Sequence, residues 1–142
     1  MKLSERDRRT VRALAATLLP EGGPLPSAEA VDAAGSVAAA IERLPPAQAT
    51  RVVGLIRAFS ALSLTRGRRF RGLAPHRRER LVAGLSEDHG YRGVALGALK
   101  QLILTTWASH PDVTRALGDD GECLADSATG RAMIEPLLPG EA

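Results

Sequence analysis

Three histidines (His76, His89, His110), one cysteine (Cys123) and the nearby carboxylates Asp88, Asp119 and Asp120 are the residues of this 142-residue chain best equipped to hold a metal or make a nucleophile. A metal site needs ligands that converge, which a sequence shows as an i, i+4 pair on a helix or a CxxC-type loop. No histidine among them has such a spacing to any of the others. Scattered histidines of this kind fit surface and cap positions. Cys123 could attack as a thiolate only with a base beside it, and no recognisable signature of a cysteine enzyme surrounds it. A tail thiol that packs or meets a partner is the simpler reading. Neither GxGxxG nor GxxxxGK[ST] occurs, so the chain has no loop of the kind that cradles nucleotide phosphates or a flavin dinucleotide. The sequence therefore assigns no catalytic residue, no cofactor-binding residue and no metal ligand to this chain.

The densest chemical feature is cationic. Seven arginines (Arg66, Arg68, Arg69, Arg71, Arg77, Arg78 and Arg80) stand against the single acid Glu79. Residues 1–100 carry 17 basic and 9 acidic side chains, whereas residues 101–142 carry 2 and 7, so a net charge of +3 hides a basic body and an acidic tail. Such a patch can meet phosphate or an acidic protein surface. A sequence-reading nucleic-acid protein would show helix-turn-helix spacing or interleaved aromatics, and here only Phe70 interrupts the run. A helical nucleic-acid-binding protein using Arg66 to Arg80 is the alternative reading, ranked behind protein–protein docking.

These residues must be carried by helices. Hydrophobic content is 44% but only four residues are aromatic (Phe59, Phe70, Tyr91, Trp107), so the core has to be built from Leu, Val, Ile and Ala, which favours packed helices over a sandwich or barrel. A chain of this size buries about two thirds of its unfolded surface as one domain. With one cysteine it has no internal disulfide to lean on. No run of 18 apolar residues occurs, so no spanning helix is expected. Arg8-Arg9 ahead of ALAATLLP invites comparison with a twin-arginine export signal. Helical spacing of Val11, Leu14, Ala15 and Leu18, and an ending in PEGGPLP, favour a folded helix and a cytoplasmic protein, with periplasmic placement by co-export with a partner as the alternative.

Five helices and a helical turn are expected, an all-α bundle over residues 1–118 followed by an extended arm over 119–142. Ser4 caps the first helix and Pro20 stops it. Ser27 caps a second whose face is Val31, Ala34, Val37, Ala38, Ile41 and Leu44, weakened slightly by Gly35. Pro46 opens a third with Val52, Leu55, Ile56, Phe59 and Leu62 inward, and Pro75 opens a fourth with Leu81, Val82 and Leu85. The fifth, from about Tyr91 to Ser109, is apolar on several sides (Leu99, Leu102, Ile103 and Trp107, but also Val94, Leu96 and Leu104), so it is expected at the centre, contacted from several sides. Pro111 to Gly118 reads as a two-turn helix with glycine at its C-cap.

Three stretches resemble one known family. LSERDRRTVRALAATLLP is similar to its first helix, and RRFRGLAPHRRERL to its arginine-phenylalanine, leucine-x-proline and arginine-rich run. ALKQLILTTWASHPDVTRALGDDG carries the most specific elements: Lys100, Trp107, His110-Pro111, Leu117-Gly118 and Gly121 in the expected order. The chain resembles gluconate 2-dehydrogenase subunit 3, the small subunit of bacterial glucose-methanol-choline-type flavin dehydrogenases, over about 115 residues. It departs in having Thr106-Trp107 where an aromatic pair is common, and no export signal of the kind that members often carry is expected in it.

The resemblance implies a noncatalytic accessory subunit in a hetero-oligomer, which binds and stabilises a large subunit acting on an alcohol or sugar hydroxyl. FAD is expected in that partner and no cofactor in this chain. Arg68, Arg69, Phe70, Lys100, Trp107 and His110 are expected at the partner interface. Met133, Ile134, Leu137 and Leu138 are expected to enter a groove on the large subunit, since an acidic arm this apolar in places has to borrow a surface. A free-standing enzyme, the third reading, has no constellation to support it.

Overall fold

A computed structural model describes residues 2–62 and 69–118. Among these residues the fold is six α-helices and one 3₁₀ turn, with no strand: α1 (Glu5–Leu18), α2 (Ala33–Arg43), α3 (Pro46–Leu62), the 3₁₀ turn (Phe70–Gly72), α4 (Pro75–Ser86), α5 (Tyr91–Ala108) and α6 (Pro111–Ala116). The expected all-α bundle is the observed one. The arm over 119–142 lies outside the described residues.

Each helix starts where local chemistry satisfies its orphan N–H groups. The Ser4 hydroxyl accepts from the Asp7 N–H (3.2 Å) and donates to the Asp7 carboxylate (2.7 Å), a cap worth about 1 kcal/mol. Asp7 is itself buried, and the Arg57 guanidinium reaches its carboxylate from α3 at 3.3 Å, tying the start of α1 to its neighbour. Proline opens α3, α4 and α6 as expected.

The second helix begins later than expected. Ser27 caps only a turn, accepting from the Ala30 N–H, while α2 is capped by Asp32, whose backbone is left-handed (φ 43°) and whose carboxylate accepts from the Gly35 N–H at 3.1 Å. Gly35 is thus part of the cap, because a Cβ there would run into the Asp32 carboxylate. A glycine that costs helix propensity is what lets the left-handed cap close.

The core gathers one face from every helix. Val11, Leu14 and Ala15 of α1 meet Ala34, Val37, Ala38 and Ile41 of α2, with Leu3 folded beneath them. On α3 the buried line is Ala49, Val53, Ile56 and Phe59, and Val52 and Leu55 sit at its edge, so the helix is rotated slightly from the expected face. Leu81 and Val82 come from α4, Val113 from α6, and Leu96, Leu99, Ile103 and Trp107 from α5. The fifth helix packs against α2, α3, α4 and α6, which makes it central as expected. Those contacts leave one side open, where Val94 is 68% exposed.

A tight turn joins α4 to α5. The Asp88 carboxylate accepts from the Gly90 N–H at 2.7 Å, and Gly93 lies so close to the Asp88 carbonyl that no Cβ fits.

Candidate functional site

The residues expected at an interface divide into three groups. Phe70 and Trp107 are core residues. Phe70 is fully buried, its ring edge-on to Phe59 with centroids 4.8 Å apart. That corrects the expectation of a surface anchor: the 3₁₀ turn packs on α1 and α3, and burying the ring there is what holds the arginine-rich segment to the body. Trp107 is 8% exposed and its indole N–H donates to the Pro26 carbonyl at 2.9 Å, pinning the α1–α2 connection to the end of α5. It too serves this chain's own fold.

Arg69, Lys100 and His110 are half-buried at the surface. Arg69 precedes the 3₁₀ turn, and its carbonyl accepts from the Gly72 N–H. His110 caps α6: its Nδ1 accepts from the Asp112 N–H at 3.3 Å, and Asp112 in turn pairs with Arg115 at 2.9 Å. Its sequence position between Ser109 and Pro111 reads as a cap, and the structure gives it that part. Arg68, Met133, Ile134, Leu137 and Leu138 lie outside the described residues, as do Cys123, Asp119 and Asp120.

The arginine run is less of a patch in three dimensions than in sequence. Arg78 turns inward, donating from Nε to the Leu73 carbonyl (3.0 Å) and from Nη1 to the Ala13 carbonyl (3.4 Å), so it fastens the start of α4 to the middle of α1. Arg69 and Arg71 are half-buried, which leaves Arg77 and Arg80 as the exposed guanidinium groups of this run among the described residues. No three His, Cys, Asp or Glu side chains converge among the described residues, and none of the described helices is long and apolar enough to cross a membrane.

The surface with the clearest functional character is one that residue types alone do not single out. The outward side of α5 presents Tyr91 (78% exposed) and Val94, then Gly97, Ala98, Gln101, Thr105 and Ala108, all exposed. The two charged residues of this helix, Arg92 and Lys100, fall more than about 100° round the axis from the centre of that face at 3.6 residues per turn. Nearly five turns of exposed helix thus carry no charge. A solvated helix face ordinarily carries Lys, Glu or Arg, and α5 instead is apolar inward and neutral outward. The signal is present in the sequence as Val94 and Leu104 off the main stripe, where it reads as burial within this chain.

The profile of a protein family described as gluconate 2-dehydrogenase subunit 3 matches residues 5–118, and the chain belongs to that family. No curated protein and no solved structure matches it. The matched span ends at Gly118, where α6 closes with a left-handed glycine (φ 78°).

Proposed function

We propose that this chain is a noncatalytic small subunit that binds and stabilises a large FAD-dependent oxidoreductase subunit of the glucose-methanol-choline type, which acts on an alcohol or sugar hydroxyl. Membership of a family described as a dehydrogenase subunit supports a partner, and the observation that carries the docking role is the neutral outward face of α5. A helix face without charge gains little from water and loses little on desolvation, which is the property an interface core needs. On this reading the flavin and the acid–base chemistry belong to the large subunit.

The face is about 27 Å long and about 10 Å wide, or some 270 Å². A stable interface takes about 800 Å² from each partner, so α5 supplies roughly a third. The remainder falls to its surroundings, with Lys100 and Arg69 as charged rim groups and the arm beyond Gly118 as a second contact. Phe70 and Trp107 contribute from inside, by holding those elements in place.

Co-expression with a candidate large subunit tests the reading. A yellow complex that retains both chains through gel filtration supports it. Purification of this chain alone with one flavin bound, or turnover of an alcohol by the single chain, would refute it.

A further inference from the structure

Helices α2 and α5 pack side by side, and where α5 gives way to α6 they leave a depression of about 440 Å³. Ser36 and Arg43 line it from α2, Thr105, Thr106 and Ser109 from the end of α5, and His110 from the cap of α6. No lining residue is acidic.

The hydrogen bonds already made around the depression define what it still offers. Arg43 donates from Nε to the Ala39 carbonyl at 3.2 Å, which bends the side chain back along α2 towards Ser36 and leaves its Nη groups as donors. The ion pairs among the described residues join Arg9 to Glu5, Arg57 to Asp7, and both His110 and Arg115 to Asp112, so no described carboxylate neutralises Arg43. His110 Nδ1 accepts from the Asp112 N–H, which puts the proton of the neutral ring on Nε2 as a second donor. The hydroxyls of Thr105, Thr106 and Ser109 donate to carbonyls within α5 and keep only lone pairs for a visitor.

We propose that this depression seats an acidic side chain of the large subunit, its carboxylate held by Arg43 and its flanking main-chain N–H groups received by the α5 hydroxyls. One guanidinium matches one negative charge, and a guanidinium fork fits a carboxylate. A dianion such as phosphate would meet three sets of hydroxyl lone pairs with no proton to give them. The openness of the site favours a carboxylate delivered on a protein. Arg43, Thr105, Ser109 and Pro111 are all exposed, whereas a site for a small molecule encloses about 70–90% of its ligand. Thr105 also belongs to the outward face of α5, so a body lying on that face covers the depression as well. A neutral face holds a partner without fixing its direction, and a charge pair at one end sets the register. The identity of the partner rests on the function proposed above; the preference for a carboxylate does not.

The preference is tested on the isolated full-length chain, by following its NMR resonances during titration with N-acetyl-aspartate N-methylamide at constant ionic strength. Saturable shifts gathered on Ser36, Arg43, Ser109 and His110, lost in Arg43→Gln and kept in Arg80→Gln, are expected. An equal response to the asparagine analogue, tighter binding of inorganic phosphate, or shifts that never saturate overturn the seat. In a complex with a candidate large subunit, Arg43→Gln should weaken the Kd at least about tenfold and Arg80→Gln should leave it unchanged. Undiminished assembly of Arg43→Gln, with probe binding lost, would assign the seat to a free carboxylate and overturn the partner's role. Failure to find any complex counts against the function proposed above, while the titration still decides the seat.

Discussion

Replacing Phe70 by alanine separates a core role from an interface role for the arginine-flanked ring. The side chain is fully buried in this chain alone and meets Phe59 edge-on at an interplanar angle of 61°. Truncating a buried phenylalanine costs about 3–5 kcal/mol, and the aromatic pair accounts for roughly 0.5–1.5 kcal/mol of interaction beyond area alone. Set against a total stability of about 5–15 kcal/mol, Phe70→Ala should remove about a fifth of it or more. With a urea slope of about 1–3 kcal/mol/M, the unfolding midpoint should fall by about 2 M. Trp107, the only tryptophan and 8% exposed, reports the transition by its fluorescence. Phe70→Leu, which keeps most of the volume, should lie between. The reasoning fails if Phe70→Ala unfolds at the wild-type midpoint while a complex with a large subunit is lost, since that would make the ring an external anchor.

Three other substitutions probe separate features. Gly93→Ala would drive a Cβ into the Asp88 carbonyl, with the Leu85 carbonyl at 3.1 Å on the other side; the α4–α5 turn has to open, at about 1–3 kcal/mol, and an unchanged thermal midpoint would contradict that geometry. Arg57→Ala removes the guanidinium from the buried Asp7 carboxylate and keeps the Ser4 hydroxyl on it, but the arginine side chain is 62% exposed and screened by water, so a loss near 1 kcal/mol is expected, shrinking as salt is added to the urea titration. Val94→Asp puts a charge on the outward face of α5 at a site open enough for stability to change by less than about 0.5 kcal/mol; assembly with a large subunit should weaken sharply in a pull-down, and equal recovery of complex would move the docking face elsewhere.

Much of the fold can be read from punctuation. Ser4, Pro46, Pro75 and Pro111 act locally, so their helix starts follow from residue type and the next few positions. The start of α2 does not, because Ser27 and Asp32 are both good caps and the choice between them depends on whether Gly35 lets a left-handed aspartate close. Side-chain destinations are harder still. An aromatic ring among arginines suits an interface and a core equally well as a string of letters; only the packing of the 3₁₀ turn on α1 and α3 decides for Phe70. The Asp7–Arg57 pair spans 50 residues and leaves no periodic trace. For α5, the pattern correctly announces a helix apolar on more than one side, yet periodicity alone cannot say whether a neutral face is buried by its own chain or kept for another.

The hydrogen bond from Trp107 to Pro26 joins residues 81 positions apart. Helix pairs close in sequence, such as α4 and α5 across their short turn, close small loops and can form early, whereas this contact must wait until nearly the whole body has been assembled. It is therefore expected to act as a latch, made after the rate-limiting step of folding rather than before it. Contacts absent from the transition state set how fast a protein comes apart, not how fast it forms. Weakening the latch with Trp107→Phe should thus leave refolding near its wild-type rate and hasten unfolding, which would make the lifetime of the folded chain depend on one indole and the loop it holds.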